Sequence, residues 1–359
     1  MTYTAIDDPS AYFQIKLWTG TGSSNALTND GNSDLQPDLL WIKNRDEGAE
    51  SHNLYDSTRG VTLKLYPDAT DAESSAAHGN FLSAFGSNGF TVVSDTAVNG
   101  TDDKMVAWQW KANGGSTTTN DASVTGVGNQ DSVYQANTTA GFSIVTWTGD
   151  SSVGTNAHGL GAVPHVMIVK CRSTHAERWE TYHHLNTSAP ETDHLELSAA
   201  DATVDSTHTW NDTAPTSTIF TVGNSGAMNN SGRTYIAYLF SEKQGYSKFG
   251  SYKGNGNAAG PFVYTGFKPA WLLIKPTIQE SWRMYDNKRD PHNVMQRQLF
   301  PDGTWAESPD SSRNIDFLSN GFKIRSSHGG INTSSATNVY LAFAESPLVT
   351  SEGVPCTAR

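Results

Sequence analysis

The chain has 359 residues, of which 17% are charged and 36% hydrophobic, with 32 glycines and a formal net charge of −12. That balance, with no Lys/Arg cluster, excludes the basic face that displaces counterions from nucleic acid, so no nucleic-acid partner is expected. No apolar run approaches the roughly 18 residues of a bilayer span, the N-terminus lacks the charged and apolar regions of a signal peptide, and Cys171 and Cys356 are too few for a disulfide framework; a chain made in the cytoplasm, without membrane insertion, is expected.

Glycine with abundant Ser, Thr and Asn, beside 10 Trp, 13 Tyr and 14 Phe, is the composition of turn-rich antiparallel sheets. The first predicted strand, Phe13-Gln-Ile-Lys-Leu-Trp18, nearly alternates and ends on Trp18-Thr-Gly20. Next come Asp30-Gly-Asn32-Ser-Asp34 and then Pro37-Asp-Leu-Leu-Trp-Ile-Lys43, a strand whose four adjacent apolar residues demand cover on both faces. Tyr55, the start Phe90-Thr-Val and the close Val106-Ala-Trp108 follow.

The same landmarks then return in the same order. The second set is Trp147-Thr-Gly149, Pro164 to Lys170, Tyr182, Phe220-Thr-Val and Ile236-Ala-Tyr238. The third is Tyr252-Lys-Gly254, Pro269 to Lys275, Tyr285, Phe322-Lys-Ile and Leu341-Ala-Phe343. In every copy Lys stands six positions after Pro. Repetition of this kind marks one structural unit used three times. The chain is therefore read as all-β, three tandem antiparallel β-sandwich modules of jelly-roll or lectin-like type, at 1–112, 140–244 and 245–346. The Gly/Ser/Thr/Asn-rich stretch 113–139 reads as a linker that leaves the first module loosely held, and 347–359 as a C-terminal docking arm.

Signals for chemistry are sparse. The loop Gly254 to Gly260 has no helix pattern behind it to make a phosphate cradle, and reads as a strand connection. Asp30, Asn32 and Asp34 alternate as calcium ligands do, but Leu35 and Trp41 stand where such a loop wants Gly and Glu; an Asx-rich turn is expected. His183, His184 and His194 with Asp193 are the densest histidine group, read as solvated loop residues rather than a zinc site. The chain carries no nucleophile elbow and no zinc-protease motif, and its acid pairs, Glu177 with Glu180 and Asp102 with Asp103, do not recur between modules; neither an enzyme nor a cofactor is expected. Trp41 and Trp271 lie in doubly covered strands and are expected in the core, whereas Trp210, in the polar run Thr207-His-Thr-Trp210-Asn-Asp-Thr, is the candidate exposed binding residue.

Several runs resemble a family of uncharacterised proteins encoded among the structural genes of tailed phages, especially those of marine bacteria. They include Ile6-Asp-Asp-Pro-Ser-Ala-Tyr-Phe13, Pro37 to Asp46, Gly141 to Gly149, Trp210-Asn-Asp-Thr-Ala-Pro-Thr-Ser217, Gly245 to Tyr252, Asp316 to Lys323 and Ser351 to Arg359. The resemblance covers nearly the whole chain and implies a virion protein, with no catalytic or binding residue to carry over. The expectation is a structural protein exposed on the tail as fibre, tip or adaptor, with host recognition as an added role. Its expected partners are other virion proteins, further copies of itself and host surface glycan. The alternatives are a head decoration protein, a glycan-binding adhesin and a hydrolase of host polysaccharide.

Overall fold

A computed structural model describes residues 2–75, 81–174 and 176–356. The fold is all-β, 41% strand and 7% helix. Its α-helical segments are single turns of four residues.

Three four-stranded antiparallel cores share one strand order. In the first unit it is Phe13–Thr19, Lys104–Trp110, Leu39–Asn44, Asn53–Asp56. In the second it is Phe142–Thr148, Thr234–Phe240, Val166–Cys171, Trp179–His183, within a sheet of eight strands, and in the third Ser247–Lys253, Thr337–Pro347, Phe267–Pro276, Arg283–Asp286. The registers coincide: Leu39 pairs with Trp110, Val166 with Phe240 and Trp271 with Phe343. The Pro-to-Lys run recurs because it forms the strand flanked on both sides, where every residue from Leu39 to Asn44 and from Val166 to Cys171 is buried.

That strand alternates between two cores. Leu40 and Ile42, Met167 and Val169, and Leu272 and Ile274 point outward into a separate hydrophobic cluster in each unit. Tyr55, Tyr182 and Tyr285 sit in those clusters too. A smaller sheet covers each one: Asn25–Thr28 with Gly89–Val92 and Leu82–Gly86, Gly154–Ala157 with Ile219–Val222, and Phe262–Tyr264 with Gly321–Ile324 and Ile315–Leu318. The aromatic-x-Gly and Phe-x-Val/Ile landmarks meet here edge to face. Trp18 and Phe90, Trp147 and Phe220, and Tyr252 and Phe322 have centroids 5.6, 5.7 and 6.0 Å apart.

The other face of all three sheets turns into one common core, which contains Leu39, Trp41, Val166, Ile168, Trp271 and Leu273. At its centre Trp110, Phe240 and Phe343, equivalent in register, touch pairwise at 6.3, 5.6 and 5.8 Å between centroids. The molecule is a closed ring of three units around an aromatic triad.

The landmark glycines are dictated by backbone approach. A Cβ on Gly20, Gly149 or Gly254 would lie 1.9, 2.3 or 2.2 Å from the carbonyl oxygen of Gly100, Asn230 or Thr333. Each turn is gripped by a fully buried asparagine: Asn99 Oδ1 accepts from Thr21 N, Asn332 Oδ1 accepts from Asn255 N, and Asn229 Nδ2 donates to the Ser152 carbonyl.

Three expectations change. The stretch 113–139 is structured: Ser132–Asn137 pairs with Phe142–Thr148, and Thr118–Asn120 adds a further strand. Its Gly and Asn residues make the turns between these short strands, which the linker reading took for the whole segment. Gln135 ties it to the first unit, donating to Ser57 Oγ and Thr58 Oγ1 at 2.9 and 2.6 Å. The first unit is thus not loose but shares the common core. In the third copy the closing landmark shifts by two residues. The strand register makes Val339-Tyr340-Leu341, rather than Leu341-Ala-Phe343, the equivalent of Val106-Ala-Trp108, because a two-residue slip preserves face alternation and cannot be detected from pattern alone. The described part of the C-terminal arm folds back, with Leu348 N bonded to the Gly266 carbonyl and Ser351 N to Asp7; residues 357–359 lie outside the described residues.

Candidate functional site

Trp210 is not a surface contact. The Ser206 side chain caps the single turn Thr207–Trp210, and that turn carries the indole inward. The ring is fully buried, packs edge to face on Tyr182 and donates from Nε1 to the Asp193 carbonyl at 3.1 Å. The polarity of the surrounding run belongs to the outer side of the turn. Trp41 and Trp271 are in the core, as expected.

The histidine group is neither solvated nor convergent. His183 and His194 are buried. His194 lies 3.1 Å from Glu180 and 3.2 Å from Thr209 Oγ1, while His183 and His184 face backbone carbonyls of the third unit. Among the described residues no three His, Cys, Asp or Glu side chains are placed to hold a metal ion. Burial raises Glu180 to about 8, and Glu196, directly opposite on the paired strand, adds to the rise. These two acids are buried against His194 and Arg178. Glu177 is held by Arg233, and Asp103 accepts from Asn44. Asp30 bonds to Lys16 and to Lys288 of the third unit, so its turn bridges two units beside a cavity of about 240 Å³.

The chemically dense regions are the three junctions between units. Between the first and second, Asp56 accepts from Arg59 at 2.6 Å and from the Tyr238 hydroxyl at 2.8 Å, and Glu73 bridges Arg59 and Arg172 at 2.8 and 2.9 Å. Between the third and first the arrangement repeats. Asp286 accepts from Arg289 and from Trp108 Nε1, and Glu307 bridges Arg289 and Arg45 at 2.9 and 2.6 Å. Burial alone would raise Glu307, but Arg289 and Arg45 outweigh it and hold the carboxyl at about 2. Between the second and third, the equivalent positions carry His183, Asn186, Thr203 and Thr277, none of them charged at neutral pH. One backbone bond is common to all three junctions: Glu73 N to Arg172 O, Glu307 N to Arg45 O and Thr203 N to Thr277 O, at 2.8, 2.7 and 3.0 Å.

The repeated lysines serve the same closure. Lys43, Lys170 and Lys275 are fully buried, and burial pushes each down to about 8. Their ammonium groups donate to backbone carbonyls, and two of them cross a junction: Lys170 to Thr70 of the first unit and Lys275 to Asp201 of the second, at 3.0 and 2.8 Å. Next to them, Trp179 Nε1 donates to the Tyr66 carbonyl and Trp282 Nε1 to that of Glu196, again one unit back. His52, the equivalent in the first unit, turns its ring toward the Phe300 backbone without a full hydrogen bond. These bonds tie each unit to the next.

On the outside, the third unit differs from its siblings. Phe262 and Tyr264 point outward from their strand, 47% and 54% exposed, where the first unit has Ala26 and Thr28 and the second Thr155 and Ala157. These two aromatics, at alternate strand positions, form an outward-facing apolar patch. Their signal in the sequence is the run Phe262-Val-Tyr264 after Pro261, which strand alternation alone cannot assign to inside or outside.

No curated protein and no solved structure matches the chain. One family matches residues 8–347, a span that takes in all three units and so treats the whole ring as a single domain. The chain belongs to that family, described as a domain of unknown function, DUF7483.

Proposed function

We propose that the chain is a non-enzymatic structural protein of a tailed-phage virion, exposed on the tail as fibre, tip or adaptor, and that its units are jelly-roll or lectin-like β-sandwiches. The closed ring is the observation that carries this reading. Three equivalent units surround one aromatic core, and two of the three junctions bury Asp–Arg–Glu–Arg networks. Interior polar groups committed to cohesion suit a body that bears load and presents loops. The resemblance of the quoted runs to phage structural proteins points the same way. Mass spectrometry of gradient-purified particles, with antibody labelling in the electron microscope, tests the reading. A stoichiometric copy number and label on the tail are expected; label confined to the capsid would favour a head decoration, and absence from particles would refute the proposal.

A second reading, glycan-binding adhesin, draws on Phe262 and Tyr264, since bare aromatic faces stack on the apolar faces of sugars. Saturable binding of labelled protein to host cells, lost in the Phe262→Ala/Tyr264→Ala variant, is its expected outcome. Equal binding by both proteins would remove it.

A further inference from the structure

We propose that the junction between the second and third units is an acid-operated seam in an otherwise permanent ring. The three junctions are built on equivalent positions, so what differs at one of them is informative. Asp56, Arg59, Glu73 and Arg172 at the first, and Asp286, Arg289, Glu307 and Arg45 at the second, become His183, Asn186, Thr203 and Thr277 at the third. Here His183 Nε2 lies 3.2 Å from the Tyr340 carbonyl, and Thr203 Oγ1 donates to Asn186 Oδ1 at 2.7 Å. Two more histidines adjoin. His184 Nε2 lies 2.6 Å from the Phe249 carbonyl, and its ring stands edge-on to His165, centroids 4.6 Å apart, and 5.4 Å from His183.

The groups facing this cluster offer no ready counter-charge. Glu242 approaches His165, but its carboxylate already accepts from Lys248 at 2.8 Å and from the Phe249 amide. Lys248 adds a positive charge, and the Tyr340 residue supplies only its carbonyl to His183. His165 Nδ1 and His183 Nδ1 both accept backbone N–H bonds, from Glu242 and Leu185, which an imidazolium cannot do. Protonation therefore breaks these bonds and crowds like charges into a dry contact. Burial, with His184 next in weight, holds His183 at about 3 and His165 below the ordinary value.

The sign follows. A histidine whose folded pKa lies below its unfolded value of about 6.5 weakens the folded contact progressively as pH falls below 6.5, until the folded pKa is reached. His183 alone favours the open seam by about tenfold at pH 5.5 relative to neutral pH, and His165 acts in the same direction. The other two junctions keep their ion pairs, with Glu307 ionised down to about pH 2; His52, held well below its ordinary value by burial, stands singly at the junction between the third and first units, against the three histidines clustered at this seam. Opening one seam exposes Phe240, Phe249 and Phe343 while the connection 241–245 keeps the two units tethered. Acid thus turns a closed ring into an open one that presents apolar surface.

Hydrogen exchange of the full chain, compared by mass spectrometry at pH 7.5 and 5.5 after correction for intrinsic rates, tests this. Peptides covering 179–186, 247–253 and 337–343 should lose protection by about tenfold at pH 5.5, reversibly, while 69–74, whose Glu73 amide bonds across the junction between the first and second units, does not change. Uniform loss at all three junctions, or none, would overturn the proposal without any variant. The His165→Gln/His183→Asn/His184→Gln chain should abolish the pH dependence; a folded variant that keeps it would also overturn the proposal.

Discussion

Trp110 and Phe343, 233 positions apart in the chain, meet edge to face with ring centroids 5.6 Å apart, and Phe240 completes the triangle. Each ring comes from a different unit, so no unit can bury its inner face alone. We expect Phe343→Ala to cost about 3–5 kcal/mol, as large aromatic deletions in dry cores do. We also expect calorimetry to give one cooperative transition for wild type rather than three. A separate transition for residues 2–112 would contradict the shared core.

The ion networks predict an asymmetry between buried and surface pairs. Glu73→Gln leaves Arg59 and Arg172 facing each other with one carboxylate fewer, and should cost about 3–5 kcal/mol in urea unfolding. Lys104→Ala, which breaks a pair with Asp46 that is 65% and 37% exposed, should cost less than about 1 kcal/mol.

Glu307 sets the acid limit of the junction between the third and first units. Its folded pKa, about 2, lies below the unfolded value, so it contributes stability that is complete above about pH 4.3 and is lost as pH falls towards 2. Wild type should therefore lose stability steeply in that window, and Glu307→Gln should show a shallower slope there. Equal slopes in acid titrations followed by fluorescence would dismiss the assignment.

Glycines can be ranked by what a methyl group would meet. Gly149→Ala places Cβ 2.3 Å from the Asn230 carbonyl oxygen and requires backbone displacement, at an expected cost of more than about 2 kcal/mol. Gly126→Ala meets nothing within 4 Å, so only its φ of +68° resists, at about 1–2 kcal/mol. Melting temperatures of the two variants should fall in that order.

Trp210 is buried where the sequence suggested an exposed contact residue, and Phe262 and Tyr264 are exposed instead. Trp210→Ala should lower stability by about 3–5 kcal/mol. Phe262→Ala and Tyr264→Ala should each lie within about 0.5 kcal/mol of wild type in the same urea melts.

The all-β character, the threefold repetition and the buried Pro-to-Lys strands were legible in the residues, because alternation and composition are local consequences of how a strand presents its faces. Local pattern also accounts for Trp41 and Trp271, each flanked by apolar neighbours. It failed at Trp210, where one helical turn capped by Ser206 rotates an indole out of a polar run, and at 113–139, where short polar strands look like a linker. It missed Asn99, Asn229 and Asn332, since polar residues carry no sign of burial until a turn closes around them. It slipped by two residues at Phe343, because a strand moved by two positions keeps every side chain on its face. Closure of the ring was decided only by tertiary structure. The partners of Asp56, Asp286 and His183 lie 157 to 182 positions away. Pairing over such separations depends on three sheets meeting around one core, which no single repeat encodes.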